Sequence, residues 1–263
     1  MSKLVSAGWS PDLAMDAYLH TLQLCKEQQQ DDASGSGMVM EPRSMEYIAA
    51  LAAGNQARHL LDVASSAGGG GASSSSSSSP ATAVALAIAA ARTGGRLVCV
   101  RDDQQGLDGV RRHLRRLGLA TSAVDFQLAP SPSAAVRRLR RVDFAVVDAG
   151  VERCGEVLGA VDVDPMGAIV VVTNVFQEER TSWSSRSGHG DGSRVCSYGQ
   201  VVGKGRSMVL PIGHGGMEVT KLGLGRRVGG GGLIGAHLQW QRQQKKKLVS
   251  TPKRTFLVCD GSS

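Results

Sequence analysis

Two stretches of the chain, VDFAVVD (Val142 to Asp148) and GAIVVVTNVF (Gly167 to Phe176), are apolar at consecutive positions rather than at alternate ones. A strand carries that pattern when both of its faces are buried, which is the situation in a parallel sheet covered by helices on each side. HLLDVAS (His59 to Ser65) and GGRLVCV (Gly94 to Val100) are shorter versions of the same thing, and VDFQLA (Val124 to Ala129) is a weaker one. Between them lie helical stretches: ATAVALAIAAAR after the first strand, LDGVRRHLRRLG after the second and SAAVRRLRR after the third. Strand and helix in alternation predict an α/β domain with a mostly parallel sheet.

Two helices precede this repeat. Ser10-Pro11-Asp12 is a helix start, with Ser10 as cap, Pro11 in the first turn and Asp12 at the positive end. That helix is expected to reach about Cys25. A second should run from Pro42 to Ala53 and stop at Gly54. After the last parallel strand, RSMVLPIGHGGMEVTKLG reads as two short strands around a Gly-rich turn, an antiparallel hairpin.

Low-complexity sequence sets the expected boundaries. The Gly/Ser-rich stretch near 68–80, with its serine run Ser73 to Ser79, and the Ser/Gly/Arg-rich stretch 177–205 read as flexible insertions in a domain spanning 1–225. Residues 226–263 read as a basic, Gly/Lys-rich tail. With 41% apolar and only 4% aromatic residues, the core should be built from Val, Leu, Ala and Ile.

The five cysteines are scattered, without Cys-x-x-Cys spacing, which argues against a zinc site or a disulfide framework and for a reducing compartment. MSKLVSAGWSPDL lacks the apolar run of a secretory signal, and ATAVALAIAAA is too short to span a bilayer. The expectation is an intracellular, cytoplasmic protein with no membrane partner. Lys245-Lys246-Lys247 and Lys253-Arg254 leave a nuclear location open.

In an open α/β sheet, ligands bind outside the carboxyl ends of the strands. Here those ends carry Asp62 to Gly68, Arg101 to Asp103, Asp148 to Gly150 and Thr173 to Phe176. The first, LLDVASSAGGGG, places an acid in the strand and small residues at the start of a helix, where backbone can approach a ligand closely. A flexible linker would read the same way. GQVVGKGR has the wrong spacing for a phosphate loop, the six histidines lack metal-ligand spacing, and no Gly-x-Ser-x-Gly elbow is present. His214 reads as a turn residue.

The order of two helices, LLDVASSAG, GGRLVCVRDD, VDFAVVDAG, GAIVVVTNV and MVLPIGHGGMEVTKL resembles the class I S-adenosylmethionine-dependent methyltransferases, in particular the catechol and caffeoyl-CoA O-methyltransferase branch. WSPDLAMDAYLHTLQLC, EYIAALAAGNQARHLLDV and RSMVLPIGHGGMEV are similar to a plant family of unknown function placed in that superfamily. The resemblance implies a Rossmann-like methyltransferase fold, S-adenosylmethionine as cofactor and a small-molecule methyl acceptor of unknown identity; homodimers occur in that branch. It implies cofactor contacts from Asp62, Ala64, Ser65, Gly68, Asp102 and Asp148. Ala64 stands where those enzymes usually have Gly. Arg101 falls where an acid would hold the ribose, and a slip of one residue gives that role to Asp102. The adenine-side acid has no counterpart, since the matching stretch reads LAPSP.

Metal-dependent members hold a divalent cation with an Asp after the fourth strand and an Asp-Asn pair after the fifth. Asp148 and Asn174 match, but Thr173 replaces the second Asp, so no metal is expected. The Lys base near the fourth-strand Asp has no match either, because GVERCGE follows. Two other functions stay open: a non-catalytic binding or interaction module on this fold, and nucleic-acid binding through GVRRHLRRLG, AVRRLRRVDF and the basic tail within a net charge of +7. Against the latter, Val110, Leu114 and Leu117 form one face of a helix whose arginines are then an ordinary solvated face, and few aromatics exist to stack bases.

Overall fold

The computed structural model describes residues 8–31, 42–65, 80–176, 196–203, 205–213 and 215–223. Seven strands form one sheet: β1 His59–Val63, β2 Arg96–Arg101, β3 Val124–Leu128, β4 Phe144–Asp148, β5 Ala168–Thr173, β6 Arg206–Leu210 and β7 Met217–Leu222. Their order is β3-β2-β1-β4-β5-β7-β6. The first five strands run parallel, β7 lies antiparallel to β5, and β6 pairs antiparallel with β7. This is the expected Rossmann-like methyltransferase architecture, closed by the expected hairpin.

The unbroken apolarity of the central strands follows from two separate cores. Leu60, Phe144, Val146, Ile169 and Val171 face one side, against helices α1 (Pro11–Asp31), α2 (Pro42–Gly54), α3 (Ala81–Thr93) and α4 (Gln104–Arg116). Leu61, Val63, Ala145, Val147, Val170 and Val172 face the other, where α5 (Pro132–Val136), α6 (Cys154–Ala160) and α7 (Tyr198–Val202) pack. Successive side chains alternate between the two layers. Small alanines let α3 lie buried against the first face from Ala83 to Ala90, and it ends on Gly94 in the left-handed conformation (φ 66°).

Ser10 Oγ accepts from Leu13 N–H at 3.4 Å, the cap expected at the start of α1. The helix then continues past Cys25 to Asp31. The helix expected over SAAVRRLRR is shorter, ending at Val136, because the chain must turn through Arg141 (φ 55°) to enter β4. Helix α6 was not anticipated. Val201 of α7 packs beside its Gly155 and Gly159, where an added Cβ would still sit at an ordinary contact distance of 3.7 Å.

Two further expectations are corrected. The stretch 177–205 is not a flexible loop throughout: Cys196 to Gly203 includes α7, with Tyr198 only 2% exposed. Glu218 of β7 holds this segment, accepting from Ser197 Oγ at 3.1 Å, Tyr198 N–H at 3.1 Å and Gly199 N–H at 3.3 Å. Secondly, Cys154 and Cys196 form a disulfide across 42 residues of sequence. Spacing along the chain could not reveal it, because packing of α7 on α6 is what brings the two thiols together. The expectation of a reducing compartment rested on unpaired cysteines and loses that support.

Among the described residues, no helix is long and apolar enough to cross a membrane. The serine run, most of 68–80 and 177–195, His214 and the basic tail lie outside the described residues.

Candidate functional site

The carboxyl ends of β1, β2, β4 and β5 converge on one edge of the sheet, and each brings a polar side chain. Asp62 sits within β1 and is 1% exposed, as is Arg101 at the end of β2. The Arg101 guanidinium donates through Nη2 to Asp62 Oδ2 at 2.5 Å, and through Nη1 to the Val100 carbonyl at 2.8 Å. Burial works against the guanidinium charge, but the Asp62 carboxylate, with smaller help from Cys99 and Asp148, outweighs it and raises the Arg101 pKa. Asp62 Oδ1 is buried with no hydrogen-bond partner among the described residues.

Arg101, which falls at the strand end where the resemblance expects an acid, is therefore turned into the protein and paired there. Asp102, just past the strand, accepts at Oδ2 from Ser65 Oγ at 2.7 Å, so the ends of β1 and β2 are joined. Asp103 is used structurally: it caps α4, accepting from Gly106 N–H at 2.8 Å. Ala64 is 4% exposed and continues the β1 ladder, donating its N–H to the Val100 carbonyl at 3.4 Å. Gly68 lies outside the described residues.

Asp148 ends β4 directly across from Thr173 of β5. Its Oδ1 accepts from Gly150 N–H at 2.8 Å and from Asn174 Nδ2 at 3.1 Å, which brings together the two residues matched to metal ligands. Asn174 adopts a left-handed backbone (φ 60°). The hairpin turn fixes this corner, because Phe176 N–H donates to the Gly215 carbonyl at 2.7 Å and a Cβ on Gly215 would lie 2.7 Å from Asn174 Cα.

This donor set does not suit a hard divalent cation. Such ions take several oxygen ligands, carboxylates above all. Here the single carboxylate, Asp148, accepts from the Asn174 amide, and position 173 offers a hydroxyl.

The Arg101–Asp62 pair was missed at the level of sequence. Its signal was an acid inside an otherwise apolar strand, which needs a buried partner, together with an arginine ending a neighbouring strand. Glu218 carried the same signal on β7, where it is 3% exposed.

A parallel five-strand sheet closed by an antiparallel pair, with acids at the ends of its central strands, is the fold of the class I methyltransferases. Solved structures agree on the fold. A protein from Corynebacterium glutamicum is 14% identical with a TM-score of 0.52, covering 78% of this chain and 92% of its own. A proposed caffeoyl-CoA O-methyltransferase from Staphylococcus aureus is 12% identical with a TM-score of 0.52, covering 77% and 95%. A proposed O-methyltransferase from Klebsiella pneumoniae is 15% identical with a TM-score of 0.50, covering 82% and 97%. Residues 3–243 match the family described as "Protein of unknown function (DUF1442)", and the chain belongs to that family. No curated protein matches the chain.

Proposed function

We propose that the chain is a methyltransferase-like protein that binds S-adenosylmethionine in the crevice at the ends of β1, β2 and β4. The observation that carries this reading is the pairing of Ser65 with Asp102 at the mouth of β1 and β2, 2.7 Å apart. A carboxylate held there can accept from the vicinal hydroxyls of a ribose, the role the sequence resemblance gives to this strand end. When bound, the cofactor would supply an electrophilic methyl group on a positively charged sulfonium. Asp62, Asp102 and Asp148 outnumber the one guanidinium at these strand ends, so the local field favours a cationic ligand over a phosphate. The unsatisfied Asp62 Oδ1 adds a buried acceptor that an ammonium or amide donor would satisfy.

On this reading each residue has a limited task. Arg101 and Asp62 lock β1 to β2, Asp102 orients the nucleoside, and Asp148 with Asn174 shapes the acceptor side. Any transfer would proceed without a metal, to a small acceptor able to lose a proton to solvent or to Asp148.

A second reading, ligand binding without transfer, is favoured by one observation. Asp148 accepts from both Gly150 N–H and Asn174 Nδ2, and no lysine stands beside it in GVERCGE to serve as base. Equilibrium binding of S-adenosylmethionine tests the shared claim. Incubation with the methyl-labelled cofactor, a chelator and a panel of small hydroxylated acceptors separates the two readings.

A further inference from the structure

The Cys154–Cys196 disulfide joins two elements that are also held in other ways. Tyr198 of α7 is buried in the second core, and Glu218 of β7 accepts from Ser197 Oγ, Tyr198 N–H and Gly199 N–H. What the bond adds is a tie to the turn that carries Asp148. Gly150 N–H donates to Asp148 Oδ1, Val151 N–H to the Asp148 carbonyl at 3.1 Å, and Cys154 N–H to the Val151 carbonyl at 3.0 Å. These bonds run from the end of β4 to the first residue of α6. Arg153 stands inside that run with a left-handed backbone (φ 57°), which a residue other than glycine keeps only where its surroundings impose it. The very next residue forms the disulfide.

The two sulfurs differ in access. Cys154 is 5% exposed, whereas Cys196 is only half-buried. An incoming thiolate therefore attacks Cys196 Sγ; the Sγ–Sγ bond breaks, and Cys154 leaves as a thiolate and takes up a proton. The second thiol of the reductant then attacks the mixed disulfide and releases Cys196. Two electrons and two protons pass to the protein, and the reductant becomes a disulfide. Cys25 and Cys99 compete poorly for either sulfur. Both are buried, and burial raises both thiols, Cys25 to about 11, so neither offers much thiolate for a rearranged pairing. We propose that Cys154 and Cys196 are a reversible redox site, opened by a dithiol reductant, whose state sets the order of the Asp148 turn. Oxidised, the site fixes the turn and with it the Asp148–Asn174 contact. Reduced, it leaves α7 docked by Glu218 and frees residues 149–153. This control acts on the strand-end acid itself and does not depend on which ligand the crevice takes.

The full chain, equilibrated in mixtures of reduced and oxidised dithiothreitol and then alkylated, tests this by mass spectrometry of the two cysteines and by amide hydrogen exchange. Cys154 and Cys196 should open and close together and reversibly. On opening, exchange at Gly150 and Val151 should rise at least about tenfold, while Val146 and Val171 in the sheet change by less than about twofold. The variant Cys154→Ser with Cys196→Ser should exchange like the reduced chain in either buffer. Should that variant fail to fold, the wild-type comparison decides by itself. A pair that stays closed in the folded chain under reducing conditions overturns the proposal, as does one that never forms under oxidising conditions. So does opening that leaves Gly150 and Val151 unchanged, or that speeds Val171 as much as Gly150.

Discussion

Arg101 of β2 donates to Asp62 of β1 from a position as fully buried as the acid itself, each 1% exposed. Both charges are removed from water, and each is tolerable only because of the other. This ion pair is what occupies the Arg101 guanidinium at the end of β2. It rigidifies the two strands whose ends form the mouth of the crevice.

Removing one partner leaves the other charged and buried, which typically costs about 3–5 kcal/mol. Arg101→Met should therefore lower the unfolding free energy by about that amount in urea titrations. Asp62→Leu combined with Arg101→Met should recover most of the loss, since a buried pair replaced by apolar side chains is often close to neutral. A double variant no more stable than Arg101→Met would contradict the pairing.

A Cβ added to Gly215 would lie 2.7 Å from Asn174 Cα, closer than real Cβ contacts come. Because the neighbour is backbone, Gly215→Ala should cost about 1–3 kcal/mol, as overpacking does. It should also pull Asn174 away from Asp148, which amide chemical shifts at Gly150 would report.

His113 lies buried on the inner side of α4, its Nδ1 3.0 Å from Arg116 Nη2. Burial, and then the Arg116 charge, lower its pKa below the ordinary 6.5. In the window between the lowered value and 6.5 the unfolded chain binds more protons than the folded one, so stability rises with pH there. Its full contribution is present above pH 6.5 and is lost as pH falls through the lowered value. Unfolding measured from pH 5 to 7 should have a positive slope of at most about 1.4 kcal/mol per pH unit from this residue. His113→Gln should flatten it.

The disulfide between Cys154 and Cys196 closes 42 residues, a loop whose chain-entropy contribution is about 4 kcal/mol. Reduction with a dithiol should lower the melting temperature. It should also speed hydrogen exchange at Tyr198 and Gly199 far more than at Val170 and Val171 in the sheet. Glu218 should keep α7 docked in the reduced chain, so Glu218→Gln together with reduction should cost more than either change alone.

The sheet was legible because its physics is local: continuous apolarity in VDFAVVD and GAIVVVTNVF can be satisfied only by a strand covered on both faces. The hairpin was legible from its turn. Helix α6 was not, since seven residues with glycine at 155 and 159 carry little helical signal. At the site, the positions of Asp62, Asp102 and Asp148 could be read from strand ends. Their partners could not. Arg101 with Asp62, Ser65 with Asp102 and Asn174 with Asp148 are pairings between strands, fixed by register rather than by spacing. The disulfide and the Glu218 clamp were hidden for the same reason.

On the proposed reading the Ser65–Asp102 mouth receives the nucleoside of S-adenosylmethionine. Calorimetric titration of the full chain with S-adenosylmethionine and S-adenosylhomocysteine, in the presence of a chelator, tests it most directly. Asp102→Asn is the informative variant, because a hydrogen bond to a charged group is worth about 1.5–3 kcal/mol and Asp102 is not part of the buried pair. The prediction is micromolar binding of both ligands without metal, weakened about tenfold or more in Asp102→Asn. No heat of binding up to millimolar ligand, or binding that Asp102→Asn leaves unchanged, would contradict it.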